Sequence, residues 1–391
     1  MPNRHTCPNC GADGMDVFYR LSRVPAHSVL LFNSPQEAVS YPRGDIELAF
    51  CRTCGFIANV TFDPTLHRYS ARYEATQGYS PTFNIFHRQL AADLVERHTL
   101  RRKTIIEIGC GQGDFLRLLC RLGNNRGLGF DPGYNPQESD PRRDENILFV
   151  QDYYSEEYAH HRADFICGRH VLEHIQRPRE FVLRVRRSIG KGQTVVFFEV
   201  PNLLFTLRDM GIWDLIYEHC SYFSPPSLGR LFAGSGFRVE RLEEAYQGQF
   251  LTIEAAPVDL ALPAGAPEPA LKTMVALAEA FAQKYRQTVA GWQTRLAKFA
   301  RANRRVVVWG GGSKGVTFLN TLQTGQALQS VVDINPRKQG KYVAGTGQQF
   351  VPPEFLRRYR PDVIVIMNPV YAGEIEQRAA ELGLAAQLVQ V

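Results

Sequence analysis

Short apolar runs alternate with amphipathic stretches from about residue 80 to 255. This rhythm predicts βαβ units and a parallel sheet, because a strand buried on both faces reads as a continuous apolar run while its crossover helix has one apolar stripe. The pattern breaks at PVDLALPAGAPEPA (257–270), rich in Pro and Ala, which reads as a linker. A long helical stretch dominated by Ala, Leu and Lys follows over 271–302, weakened only by Gly291. From 305 the βαβ rhythm restarts, with RRVVVWGGG, SVVDIN and DVIVIMN as buried strands. Residues 1–70 instead carry turn residues, short β-type runs and two CxxC pairs. The expected segments are 1–72, a metal-binding module; 73–256, a first α/β domain; 257–302, linker and long helix; and 303–391, a second Rossmann-like domain.

Composition adds little. The 391 residues are 44% hydrophobic and 21% charged, as in ordinary globular chains with room for two or three domains. The net charge of +6 is spread along the chain without a Lys/Arg block, which gives no case for nucleic acid and suits an anionic small substrate. No stretch reaches the ~20 apolar residues of a membrane span, and MPNRHTCPNC has no apolar signal-peptide core. The expectation is a soluble, cytoplasmic protein without nucleic-acid or membrane partners; its oligomeric state is left open.

CPNCG (7–11) and CRTCG (51–55) are two knuckles. Each CxxC turn can present two thiolates to one tetrahedral ion, so Cys7, Cys10, Cys51 and Cys54 are expected to hold Zn2+. Four thiolates close the coordination shell, which makes the metal structural.

IIEIGCGQGDF (105–115) spaces Glu107, Gly109, Gly111 and Gly113 as E-x-G-x-G-x-G, between a β-branched run and a helix. Glycines permit positive φ and close backbone approach to a ligand. A plain dinucleotide turn reads G-x-G-x-x-G; the early acid here resembles the first motif of class I S-adenosylmethionine (SAM) methyltransferases, where it suits the cationic amino group of the methionine moiety. Asp131 ends the next strand, GLGFDP, where an acid commonly takes ribose hydroxyls. Asp152 in FVQDYY stands where an adenine-contacting acid would lie, and ADFICGRHVLEHI (163–175) reads as the fourth strand, a loop and a helix. His170 is counted with the cofactor residues.

WDLIYEHCSYFSPPSLGRLF (213–232) packs Tyr217, Glu218, His219 and Tyr222 into six residues. A His beside a carboxylate can act as a general base near neutral pH, and a Tyr can donate to a developing oxyanion. His170, Glu173 and His174 form a second cluster at strand ends, where open α/β sheets place ligands.

Taken together, CPNCG with CRTCG, EIGCGQGDF, HVLEH, YEHCSYFS, GGGSKGVTFLN (310–320), VVDINPRKQGKYVAGT (331–346) and NPVYAGEI (368–375) resemble, in order and over nearly the whole chain, the bacterial sugar C-methyltransferases of deoxysugar biosynthesis. The resemblance implies an N-terminal zinc-binding domain, a class I SAM domain and a C-terminal Rossmann-like domain. It implies a nucleotide-linked 4-keto-deoxysugar as substrate, methylated at carbon through an enolate. His219 would then be the base, Glu218 its partner and His174 a pocket residue. A Tyr in YEATQGYSPTF (73–83) would reach the same pocket; spacing leaves Tyr73 and Tyr79 both open, and Tyr79 is taken as the candidate. The chain departs from the family at Ile-Tyr-Glu-His (216–219), where the sugar enzymes read Tyr-His-Glu-His. Tyr217 is thus one residue out of place, and such a shift turns a side chain by about 100° on a helix or 180° on a strand.

The C-terminal GGGSKG turn, with Asp333 ending the following strand, has a dinucleotide-like context. Fold alone does not imply NAD binding, and the expectation is a domain that shapes the substrate site and holds the sugar nucleotide. Three other readings stay open: an O- or N-methyltransferase for another metabolite, a non-catalytic SAM-fold zinc-bearing binding protein, and an NAD-dependent oxidoreductase.

Overall fold

A computed structural model describes residues 5–66, 72–138, 145–259, 268–324 and 328–391. Most of the expected linker, 260–267, lies outside the described residues.

The N-terminal module is an antiparallel sheet of β1 (Asp16–Pro25), β2 (Arg43–Phe50) and β3 (Ile57–Asn59). Its fourth strand, β9 (Ser221–Tyr222), comes from far along the chain and pairs Ile57 with Tyr222 and Ala58 with Ser221. The sheet therefore extends beyond residues 1–72, and β3 gains a partner on what would otherwise be an open edge.

The central sheet contains β4 (Thr104–Ile108), β5 (Arg126–Phe130), β6 (Ile147–Val150), β7 (Phe165–Arg169), β8 (Val195–Pro201), β10 (Phe237–Ala245) and β11 (Phe250–Pro257). Across the sheet the order is β6-β5-β4-β7-β8-β11-β10. In chain order this reads 3-2-1-4-5-7-6, parallel except for β11, which is the class I methyltransferase arrangement. Alternate residues of each strand enter opposite cores. Ile105, Phe165 and Phe197 pack under the helices Pro81–Arg97 and Asp114–Gly123. Ile106, Ile166 and Phe198 pack with the helices Pro178–Ile189 and Pro225–Ala233, and that second core also takes in Cys7, Cys51, Cys54 and Phe56. The cysteine knuckles are thus seated on the central sheet's own core.

A third sheet holds β12 (Val306–Trp309), β13 (Ser330–Val332), β14 (Gln349–Val351), β15 (Val363–Ile366) and β16 (Gln387–Gln390), all parallel in the order β14-β13-β12-β15-β16. One face meets the helix Ala372–Glu381. The other joins the helix Ser313–Leu322, the long helix Glu268–Arg301 and the apolar side of the N-terminal sheet in one cluster. Each large side chain buried there contributes about 1.5–3 kcal/mol, which binds first and last segments into one body. No helix among the described residues is long and apolar enough to cross a membrane.

Candidate active site

The cofactor loop leaves β4 at Ile108 and enters the helix Asp114–Gly123. Gly109, Gly111 and Gly113 all have positive φ, at 70°, 54° and 85°. A Cβ on Gly109 would come within 2.3 Å of Val171, and one on Gly113 within 2.3 Å of the Phe149 ring, whereas Gly111 faces open space. The loop thus needs glycine for its own packing at two positions and leaves bare backbone at the third.

Asp131 closes the loop, its two oxygens accepting from the N–H groups of Gly111 (2.8 Å) and Gly133 (2.7 Å). Gln112 adds two bonds to the same turn, donating to the Gly133 carbonyl and accepting from Asn135 N–H. Glu107 is buried within β4, and its Oε2 has no hydrogen-bond partner. Burial pushes its carboxyl up to about 8. A buried carboxyl group with one unpartnered oxygen, beside an open glycine loop, fits a ligand whose positive charge would favour its ionised form, as the ammonium end of SAM would. Asp152 is exposed and accepts from the Tyr158 hydroxyl and Tyr153 N–H.

His170, expected among the cofactor residues, is placed differently. With φ at 54° it turns back onto the strand ends. Its Nδ1 lies 3.1 Å from Glu173 Oε1 and its Nε2 3.2 Å from Glu199 Oε1. Burial disfavours the charged ring, but the two carboxylates outweigh it and raise His170 to about 9. Nδ1 is engaged by Glu173, whereas Nε2 faces the Glu199 carboxylate without a hydrogen bond. Glu199, fully buried on β8, also takes Arg169 at 2.7 Å; that guanidinium and His170 overcome burial and hold the acid near 2. HVLEH itself forms a short 3-10 turn, Leu172–His174, and the next helix starts only at Pro178.

Residues 217–219 point three ways. Tyr217 is buried in the N-terminal module, its hydroxyl accepting from Asp63 N–H at 2.8 Å and its ring 5.2 Å from that of Phe62. A side chain at Gly44 would collide with this ring, at 2.1 Å. Tyr217 is therefore turned away from His219 and does not stand in for the shifted Tyr. Glu218 is 1% exposed and accepts at Oε1 from Ser28 N–H and Ser28 Oγ–H, with His27 Nδ1 3.6 Å away. Although burial opposes its charge, these donors hold Glu218 near 2.

His219 lies edge-on to His174, with ring centroids 5.1 Å apart. Side-chain ligand atoms of Glu173, His174 and His219 all lie within 4.8 Å of one another. Burial first, then the nearby His174, lower His219 to about 4, which leaves a neutral imidazole at physiological pH. Glu173 rather than Glu218 is thus the carboxylate grouped within 4.8 Å of the two histidines, because neighbouring residues of an irregular segment face apart.

The two tyrosine candidates separate clearly. Tyr79 is 42% exposed at the foot of the helix Pro81–Arg97. Tyr73 is half-buried, bridged to Leu30, with its ring 6.1 Å from that of His27. Burial, with the charges of Glu218, Glu173 and Asp131, pushes its phenol well above the ordinary range. Tyr73, not Tyr79, lies near enough to Glu218, Glu173 and Asp131 to feel their charge.

Sequence reading missed His27, Ser28, Arg169 and Glu199. Glu199 left one signal, a lone acid in the apolar run FFEVPN; His27 and Ser28 left none, since their role depends on a carboxylate 190 residues away. The C-terminal lobe also borders the site. The Ser313 hydroxyl lies 2.9 Å from that of Ser28, whose own proton goes to Glu218, so Ser313 is the donor of that pair, and Lys314 pairs with Asp214. In that lobe Asp333 accepts from Gly311 N–H, and buried Lys338 lies 3.5 Å from the same carboxylate oxygen. The acid expected at a ribose position is therefore engaged inside the protein.

At the N-terminus Cys7 and Cys54 sulfurs are 3.7 Å apart, as are those of Cys10 and Cys51. Disulfide sulfurs would be about 2 Å apart, whereas four sulfurs at 2.3 Å from one ion are about 3.8 Å from each other. Gly11 and Gly55, at φ 79° and 74°, donate back to the Cys7 and Cys51 carbonyls and form the knuckles. The set can hold one tetrahedral metal ion.

Residues 83–242 match the methyltransferase domain family, and residues 268–388 the C-methyltransferase C-terminal domain family. C-methyltransferase NovU of Streptomyces niveus is 27% identical over 390 residues, spanning 94% of this chain and 90% of NovU. Two solved structures are also similar, each 14% identical with a TM-score of 0.36. They are 1,6-didemethyltoxoflavin-N1-methyltransferase of Burkholderia thailandensis, over 46% of this chain and 82% of that one, and a SAM-dependent methyltransferase of Aquifex aeolicus, over 46% and 96%.

Proposed function

The chain is a SAM-dependent methyltransferase carrying the C-terminal domain of C-methyltransferases, and on that premise we propose that it methylates a carbon beside the ketone of a nucleotide-linked 4-keto-deoxysugar. SAM, when bound, supplies the electrophilic methyl carbon. Glu107, the Gly109–Gly113 backbone and Asp131 would hold it. His219 takes the proton from the carbon next to the ketone, and the C–H electron pair becomes the enolate. Tyr73 donates its hydroxyl to the enolate oxygen. Glu173 steadies the imidazolium that His219 becomes, and His174 orients it. We assign structural Zn2+ to Cys7, Cys10, Cys51 and Cys54, and the segments 1–72, 73–256, 257–302 and 303–391 to the four parts expected above.

One observation supports the carbon reading most: a neutral imidazole, His219, is grouped with a buried carboxylate, Glu173. Transfer to an oxygen that is already nucleophilic needs less. The test is proton exchange. With S-adenosylhomocysteine present and 4-keto nucleotide sugar in D2O, the parent incorporates deuterium beside the ketone and His219→Asn does not. With 13C-methyl SAM, the product carries its label on carbon. Label on oxygen or nitrogen would overturn the reading and favour the alternative to which Ile216, standing at the family's Tyr position, points.

A further inference from the structure

We propose that His170 is a positioning residue for the methyl transfer: an imidazolium set between Glu173 and Glu199, it keeps the Glu173 carboxylate ionised beside His219. The inference deepens the enolate reading and rests on its use of Glu173. Three observations carry it. First, Glu173 is 1% exposed, its Oε2 has no hydrogen-bond partner, and its Oε1 accepts from His170 Nδ1 at 3.1 Å. Among the described residues no other group hydrogen-bonds this carboxylate. Second, the far side of the ring faces another buried acid, with Nε2 3.2 Å from Glu199 Oε1, and Arg169 donates to that same oxygen at 2.7 and 3.0 Å. Third, His170 has φ 54°, a left-handed backbone that residues other than glycine adopt when their surroundings hold them there, and its N–H donates to the Glu199 carbonyl at 2.9 Å. That bend turns the ring back between the two acids.

Charge then alternates along a buried row: Arg169 positive, Glu199 negative, His170 positive, Glu173 negative, and His219 neutral until it takes the substrate's proton. Burial opposes the charge on His170, but Glu173 and Glu199 outweigh it and hold the ring up at about 9. Burial opposes the charge on Glu173 too; His170 first, then His174 and His219, hold that acid below the ordinary carboxylate range. Tyr73 and Cys220 feel the charge of Glu173, and His87 that of His170, but burial keeps all three neutral, so none of them can replace the imidazolium. Without a charged ring, two buried acids would face each other with Arg169 at one of them, and Glu173 would take up a proton near neutral pH. A protonated Glu173 offers no counter-charge to the imidazolium that His219 becomes.

The test variant is His170→Asn, because Asn tolerates the left-handed backbone and can donate to Glu173 without bringing charge. Release of S-adenosylhomocysteine from SAM and the 4-keto nucleotide sugar is followed from about pH 6 to 9 in the parent, in His170→Asn, in Glu173→Gln and in the double variant. Melting temperatures check that each variant is folded. At the acid end His170→Asn should be slower than the parent by about 10-fold or more, as one unit of carboxyl shift implies, and the gap should close at the alkaline end. Glu173→Gln should be slow at every pH, and adding His170→Asn to it should change nothing further. A loss of equal depth at every pH in His170→Asn, or no loss, overturns the proposal and leaves Glu173 in its role. A parental rate in Glu173→Gln removes Glu173 from the reaction and the proposal with it. The ring charge is read without any substrate, by NMR of the full chain labelled with 15N-histidine. The signal that His170→Asn lacks should be an imidazolium at neutral pH and titrate near 9. A neutral ring at neutral pH overturns the proposal whatever the substrate.

Discussion

Ser28 holds Glu218 from two groups at once: its backbone N–H reaches Oε1 at 2.5 Å and its hydroxyl reaches the same oxygen at 2.8 Å. A buried carboxylate is costly without such partners. The N-terminal module therefore supplies part of the active-site wall, and the acid next to His219 in sequence is engaged elsewhere. His219 is left to Glu173 and His174.

The two tyrosines of the 73–83 segment should behave oppositely. Tyr73→Phe is expected to lower kcat by about 10²-fold or more, the usual effect of removing one oxyanion donor. Tyr79→Phe, at an exposed position, should leave kcat unchanged. Initial rates of S-adenosylhomocysteine release measure both, and equal effects would remove Tyr73 from its role.

Tyr217→Phe removes the hydroxyl that accepts from Asp63 N–H. The expected change is a loss of about 0.5–1.5 kcal/mol in stability with kcat unchanged, read by denaturant titration beside the rate assay. A large drop in kcat at full stability would mean that Tyr217 turns toward the ketone after all.

Loss of a metal held by the four cysteines should reach His219. Cys54 is three residues before β3, and β3 pairs with β9, whose first residue lies two after His219. Cys51→Ser should abolish tightly held zinc, lower the melting temperature and reduce methyl transfer. Elemental analysis, calorimetry and rates follow the three effects. A zinc-free variant with parental rate would uncouple module and site.

Glu107 gives a pH dependence. Its folded carboxyl is raised to about 8 by burial, so in the free protein it binds a proton that the unfolded chain has released. The stability contributed is full below the ordinary carboxylate range and lost as pH rises through about 8. The ammonium of S-adenosylhomocysteine favours the ionised form. Affinity should therefore rise with pH up to about 8, with proton release on binding at pH 7. Calorimetry in two buffers of different ionisation heat measures the protons. Glu107→Gln should abolish both effects, and an unaltered profile would place the titration elsewhere.

What the sequence determined by itself is local: the strand–glycine–helix turn at 105–115, the two cysteine knuckles, the repeated βαβ rhythm and the histidine-rich ends of two strands. Each is encoded within a dozen residues by backbone dihedrals and side-chain periodicity. Tertiary structure alone decided how the irregular segments face. Tyr217, Glu218 and His219 are consecutive yet point into the N-terminal sheet, toward Ser28 and toward His174. Tyr73 rather than Tyr79 turns inward, His170 lies between two acids, and β9 joins a sheet that starts at residue 16. No spacing rule covers such segments, because their side chains are oriented by the contacts they meet across the fold, and those partners lie up to 190 residues away.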